Sequence, residues 1–358
     1  MVPDPIGVDS LRRVLVVKLR HHGDVLLTSP VFSVLAARAP HAEIDALVYA
    51  DTRDMLTGHP GVSRIHAIDR EWKRQGPLLQ ARREAALLAQ LRERRYQLIV
   101  HLTDHWRGAW LAQLLRPRWS LAPARDSWLW KACFSHRYAL PRATTRHVVE
   151  ANLDALRRGG IYPEEEEKRL VMVPGPEAEA KVEALLAQHG LASGSFLQFH
   201  PTSRWLFKAW TDERNAQLLQ QLVKDGHRIV VTGAPNAREQ AIVKRILERA
   251  EVAVTDLSGQ LTLREMAALT ARARLFFGVD SAPMHIAAAM GTRVVALFGP
   301  SGEREWGPWM VPHRIVASDD SCRPCGNDGC GGGKVSECLT RLPVARVHAA
   351  INELLAQP

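Results

Sequence analysis

No apolar stretch of the 358-residue chain approaches the roughly 20 residues that a helix needs to cross a bilayer. The amino terminus, MVPDPIGVDS, has neither the basic nor the apolar region of a secretory signal, so a cytoplasmic protein is expected. Cysteine is scarce, at five residues, and in a reducing compartment these are expected as thiols or metal ligands, not structural disulfides. There is no internal repeat at the level of sequence, so any likeness between the two halves must be architectural.

What is present is an ordinary globular balance, 46% hydrophobic and 24% charged, in a chain longer than one hydrophobic core usually fills. Two domains are therefore expected. The net charge of +9 is uneven: residues 1–170 hold 27 Lys+Arg against 19 Asp+Glu, and the remainder 20 against 19. A basic half favours a polyanionic partner, which includes nucleic acid, anionic lipid and phosphorylated glycan. An Arg-rich solvated surface is the plain alternative. Nucleic acid is disfavoured, because the cysteines of any zinc knuckle lie outside the basic half and no RNP-like or helix-turn-helix pattern occurs.

Along the chain, strands alternate with helices. Strands are expected at 13–19 (RVLVVKL), 42–49, 59–68 and 96–102, with helices from Val25 to about Arg38 and over 77–95. A Pro/Gly/acidic stretch at 162–179 carries the breaker signals of a linker. The pattern then restarts, with strands at 195–200, 227–233, 252–257, 274–280 and 293–299. Helices are expected over 212–225, 236–250, 262–273, 283–290 and 344–357. This alternation implies two doubly wound α/β units, whose ligands bind beyond the carboxyl ends of strands.

Four constellations lie where chemistry would be expected. Arg20-His21-His22-Gly23-Asp24 follows the first strand, and a carboxylate there is either a helix N-cap or a general base facing an interdomain cleft. HPTSRWLFKAW (200–210) offers the hydroxyls of Thr202 and Ser203, with Lys208 six residues after Thr202, which suits a diphosphate. Read plainly, it is a polar loop with two packed tryptophans. Asp280-Ser281-Ala282-Pro283 ends a strand and starts a helix, so backbone N–H groups over 281–284 form an anion site, with His285 in the first turn. Cys322, Cys325, Cys330 and Cys338 are either a structural zinc set or reduced thiols, and their position past the strands suggests a structural role.

VLVVKLRHHGDVLLTSPVFSVL and VDSAPMHIAAAMGTRVVALFGP together resemble glycosyltransferase family 9, the bacterial lipopolysaccharide heptosyltransferases. HPTSRWLFKAW and PCGNDGCGGGKVSECL look like the subgroup called heptosyltransferase III, which adds the branching heptose. The resemblance runs from about residue 12 to 342. It implies a GT-B fold, two facing Rossmann-like doubly wound domains. Residues 1–172 would bind the acceptor, and residues 173–358, with the Cys-rich segment 322–338 and a terminal helix, the donor. That donor would be ADP-L-glycero-β-D-manno-heptose, transferred with inversion and without a metal or cofactor.

By motif position Asp24 matches the base, Lys208 the diphosphate-binding lysine, and Thr202 and Ser203 the phosphate-binding hydroxyls. Asp280, Ser281, Ala282 and His285 match the family's signature, and Glu239 stands for the ribose carboxylate. Ala282 replaces the usual glycine there. Arg20, His21 and His22, with Arg70–Arg74, are the nearest candidates to meet an acceptor built on lipid A, Kdo and heptose at the anionic inner face of the inner membrane. The chain also lacks Asp-x-Asp, the pair by which many sugar-nucleotide transferases hold a divalent ion. Protein cations, Lys208 and the helix end, must then neutralise the diphosphate. The rival readings are another GT-B transferase of core synthesis using a different sugar nucleotide, and a polyanion-binding scaffold with an inactive donor site.

Overall fold

The computed structural model describes residues 5–140 and 146–357; residues 1–4 of the amino-terminal stretch read above lie outside them. The chain divides into two compact units, with Val148–Val173 joined to the residues of the first and Pro174 opening the main body of the second.

The first unit holds one sheet of β1 (Arg13–Val17), β2 (Glu43–Tyr49), β3 (Arg64–Ile68), β4 (Leu98–His101), β5 (Trp119–Pro123) and β6 (His136–Tyr138). Their order is β3-β2-β1-β4-β5-β6, and every pairing is parallel. The second unit holds β7 (Phe196–His200), β8 (Arg228–Val231), β9 (Thr255–Asp256), β10 (Leu275–Val279), β11 (Val294–Phe298) and β12 (His313–Ala317). The order β12-β11-β10-β7-β8-β9 is the same one counted from this unit's own first strand, again all parallel. Each unit is therefore a Rossmann-like doubly wound sheet with its switch point beside its first strand.

Helices on both faces bury the central strands completely, so β4, β7, β10 and β11 are buried along their whole length and mostly apolar, with His101 ending β4 and Gln198 and His200 in β7. In the first core, Leu15, Val17 and Ile99 of the sheet meet Leu87 and Leu91 of the helix Pro77–Glu93. In the second, Phe199, Phe277 and Leu297 meet Leu218, Val243 and Ile351, the last from the terminal helix Val344–Leu355. Each such side chain contributes about 1.5–3 kcal/mol by leaving water.

Three strands escape the sequence pattern. β6 has three residues, β5 ends in Pro123, and β12 is a half-exposed edge strand. The single helix expected from Val25 is two, His22–Leu26 and Ser29–Arg38, because Pro30 has no N–H to continue the ladder and instead starts the second. Likewise the linker expected to reach residue 179 ends at Gly175, and Pro176 opens the helix Pro176–Gln188.

Candidate functional site

In the first unit the loop after β1 lies at the switch point between β1 and β4. His21 is the N-cap residue of His22–Leu26 and makes no side-chain cap bond, while Asp24 is the helix's third residue. Asp24 is thus not a cap. Its carboxylate is half-buried and enters none of the hydrogen bonds or ion pairs among the described residues. Near enough to feel its charge is a residue the sequence reading passed over, Lys18, at the end of the apolar run. Lys18 is buried, and its ammonium donates to the Leu102 carbonyl and to Asn152 Oδ1, both at 3.1 Å. Burial pushes its pKa down to about 8, against the attraction of Asp24. A lysine closing a β-branched strand was the signal available for it.

The neighbouring groups are partly engaged. Arg20 lies 3.7 Å from Asp104 at the end of β4, and His22 Nε2 donates to the Asp51 carbonyl at 2.8 Å. Arg70 donates to Asp51 Oδ2 at 2.6 Å and to the Arg20 carbonyl at 3.0 Å, so it ties the loops after β1 and β2 together. Arg74 pairs with Glu71 at 2.9 Å, whereas Lys73 is exposed.

In the second unit the loops after β7 and β10 meet at the corresponding switch point. Lys208, in a 3-10 turn at Leu206–Lys208, donates to Asp280 Oδ2 at 2.5 Å, although 72 residues separate the two in sequence. The Asp280 side chain is nearly buried, so the pair is held from the protein side and the ammonium keeps two further donors. Thr202 and Glu239 are also brought together. The Thr202 hydroxyl donates to Glu239 Oε2 at 2.7 Å, and Asn236 Nδ2 donates to Oε1 at 2.9 Å. With both its oxygens bonded, Glu239 is buried, and the Thr202 proton is given to it. Ser203 is buried as well and accepts from the Trp205 N–H at 3.3 Å. Burial holds the His200 imidazole near pKa 4, against Glu239's pull.

Ser281 caps the helix Ala282–Ala289 in position but not in bonding, for its hydroxyl donates to the Val279 carbonyl at 3.1 Å. The expected anion site over 281–284 is narrower than four donors. Pro283 has no N–H, and Met284 N–H donates to the Ser281 carbonyl at 3.1 Å, which leaves the amides of Ser281 and Ala282. His285 is buried, so it backs the turn from the inside.

A pocket of about 470 Å³ opens beside Lys208, lined also by Trp205, Phe207, Ser301, Trp306 and Cys325. The Cys-rich segment is one wall of it, which its position in sequence did not suggest. Ser336 donates to the Phe207 carbonyl at 2.6 Å, and Arg323 donates to the carbonyls of Gly299 and Ser318 at 2.7 and 2.9 Å. The zinc set expected from Cys322, Cys325, Cys330 and Cys338 does not fit this arrangement. Among the described residues no group of three or more His, Cys, Asp or Glu is gathered to hold a metal ion. Cys338 is buried against Gly299, near enough to Cys330 and Cys322 for their charges to act on it, while those two and Cys325 stay exposed on the loop.

The sequence model of glycosyltransferase family 9 (heptosyltransferase) matches residues 84–335. The chain is 34% identical over 344 residues to lipopolysaccharide heptosyltransferase 3 of Escherichia coli, covering 94% of this chain and 97% of that protein. It is 26% identical to lipopolysaccharide heptosyltransferase 1 of Pseudomonas aeruginosa, covering 97% and 99%. Among solved structures, the family 9 glycosyl transferase of Veillonella parvula superposes with a TM-score of 0.82 at 22% identity, over 98% and 99% of the two chains. The ADP-heptose lipopolysaccharide heptosyltransferase II of E. coli superposes with a TM-score of 0.74 at 21% identity, over 96% and 98%. The GT-B architecture expected from the sequence is therefore the fold observed, and the chain belongs to glycosyltransferase family 9.

Proposed function

We propose that this protein transfers a heptose from ADP-heptose to the inner core of lipopolysaccharide, adding the branching heptose, with inversion and without a metal ion. The observation that carries the reading is its 34% identity, nearly end to end, with lipopolysaccharide heptosyltransferase 3 of E. coli. The second unit takes the donor and the first unit takes the acceptor, a lipid A core bearing Kdo and heptose at the inner face of the inner membrane. Among the described residues no helix is long and apolar enough to cross a membrane, so contact with that surface would be peripheral.

Asp24 accepts the proton of an acceptor hydroxyl as its oxygen attacks the anomeric carbon. The bond from that carbon to the diphosphate oxygen breaks, and ADP leaves with the electron pair. Lys208, steadied by Asp280, meets the growing diphosphate charge with its remaining N–H donors, aided by the Ser281 and Ala282 amides. Glu239, already oriented by Thr202 and Asn236, is the carboxylate for the ribose hydroxyls, and Thr202 serves by fixing it. Ser203 and His285 complete the donor loops, and Arg20, His21 and His22 border the acceptor. Lys18 is a positioning residue that keeps a positive charge near Asp24.

The test is transfer itself. Purified protein, ADP-heptose and a core acceptor lacking the branching heptose should yield one added heptose and one ADP, with EDTA making no difference. Transfer from a different sugar nucleotide alone would favour the rival transferase, and binding of ADP without any turnover would favour the inactive scaffold.

A further inference from the structure

Of the eleven large apolar side chains that stand exposed among the described residues, eight fall between Leu78 and Leu140. The same stretch, residues 77–140, holds 11 Lys+Arg against 4 Asp+Glu, a net +7 out of the chain's +9. Apart from Arg94, which is buried against Asp45, exposed apolar surface and positive charge are thus concentrated in one part of the first unit. Three helices supply that surface: Pro77–Glu93, Trp106–Leu115 and Trp128–Cys133.

On the second helix Trp106, Trp110 and Leu114 recur every four residues and point outward, with Trp110 66% exposed. The third helix adds Trp128, 75% exposed, and Leu129; the first adds Leu78, 88% exposed. These side chains are not core residues left uncovered for want of a core. Trp130 is fully buried, donates to the Pro123 carbonyl at 2.8 Å, and meets Phe134 and the edge of Trp106. Gln113 Nε2 donates to the Ala132 carbonyl at 3.3 Å and joins the second helix to the third. Between the first and second helices runs a cleft of about 460 Å³ with largely apolar walls. Arg82 stands one turn from Leu78, Lys131 one turn from Trp128, and Arg125 stacks 5.8 Å from the Trp106 ring.

We propose that this three-helix face of the first unit docks on an anionic lipid bilayer. Tryptophan prefers the headgroup level, where an apolar ring and a polar N–H are both satisfied, and arginine or lysine around it meets anionic headgroups. Apolar insertion and charge reinforce each other at such a surface, and exposed apolar side chains gathered on neighbouring helices mark a surface of interaction. The inference rests on the proposed function insofar as a lipid-linked acceptor gives the docking its purpose.

Vesicle sedimentation tests it, using the full chain with phosphatidylglycerol-containing or pure phosphatidylcholine vesicles. The wild-type protein should sediment with the anionic vesicles, less so as salt rises, with a blue shift of tryptophan fluorescence. Trp110→Ser with Trp128→Ser should abolish the blue shift. Arg82→Glu with Lys131→Glu should weaken sedimentation by roughly 30-fold or more. Both pairs should keep wild-type transfer to a water-soluble, deacylated core acceptor. Wild-type sedimentation by the tryptophan pair would overturn the proposal. So would a wild-type protein indifferent to anionic lipid, or a tryptophan pair that instead turns a dimer into a monomer. A wild type that binds vesicles but transfers nothing to the deacylated acceptor would contradict the proposed function and leave the docking face standing.

Discussion

The two units use one strand order twice, yet they handle charge in different ways. In the second unit the polar loops at the switch point are already closed on themselves, Lys208 on Asp280 and Thr202 on Glu239. In the first unit the corresponding loop leaves the Asp24 carboxylate without a bonded partner among the described residues, near a buried lysine. The cores differ in the same sense. The first sheet buries a charged pair, Asp45 of β2 with Arg94 at 2.8 Å, supported by Tyr96 at 2.7 Å. The second buries neutral groups, with the Thr232 hydroxyl 3.3 Å from Gln198 Nε2 and 3.0 Å from His200 Nδ1. The scaffold fixes where polar loops gather, and the residues on them decide whether the place suits a proton acceptor or an anion.

The sharpest way to break that comparison is at Asp24. Asp24→Ala should lower kcat by roughly 10²–10⁴-fold while ADP affinity, which the proposed function assigns to the second unit, stays put. Retained turnover with an intact fold would remove the base from the first unit. Next in size is the buried pair. Arg94→Ala strands Asp45 in the core and should cost about 3–5 kcal/mol in denaturant unfolding. Burial raises the Asp45 carboxyl, but hydrogen bonds from His66, Arg94 and Tyr96 outweigh it and hold the pKa below the usual range. Its contribution is therefore complete above an unfolded pKa of about 3.9 and is lost as pH falls through the lower folded value. The variant should show a shallower loss of stability in acid. An equal loss in both proteins would mean that the pair is not what acid breaks.

Lys18 sharpens the comparison from the other side. With a folded pKa of about 8, its charge disappears as pH rises past that point. Between there and an unfolded value of about 10.4 the unfolded chain holds the proton more tightly, so this group's contribution to stability rises with pH. Turnover should fall as pH rises through about 8, and Lys18→Met should be slow at all pH values and lack that alkaline limb. A limb that survives the substitution would assign it to another group. The smallest effect expected is on salt: acceptor KM should rise with ionic strength more than ADP-heptose KM does, since the first unit carries the basic excess. Equal rises would reduce that excess to solvated surface.

Much of this was legible in the sequence because buried parallel strands are predominantly apolar runs. β1, β7, β10 and β11, and the loops that follow them, were placed within a residue or two. β5, β6 and β12 are not legible in the same way, since β5 closes on Pro123, β6 has only three residues, and β12 buries a single position. Motif position named Lys208 and Asp280 but said nothing of their contact, which depends on β7 and β10 lying side by side. Neither could it show that Thr202 points at Glu239, that the Ser281 carbonyl takes the Met284 N–H, or that Cys338 is buried, although the missing N–H of Pro283 was legible in the residue itself. The outward stripe of Trp106, Trp110 and Leu114 has ordinary helical spacing, and only packing reveals which face of the helix meets solvent.

The central claim is that the second unit is an ADP-heptose site built around Lys208. Calorimetric titration of the wild-type protein and of Lys208→Ala with ADP, UDP and GDP tests it most directly. The account predicts binding of ADP well ahead of UDP and GDP, and an ADP affinity weakened on the order of 10–100-fold in Lys208→Ala, the worth of one charge-assisted hydrogen bond. Comparable binding of UDP or GDP, or an ADP affinity untouched by the substitution, would contradict it.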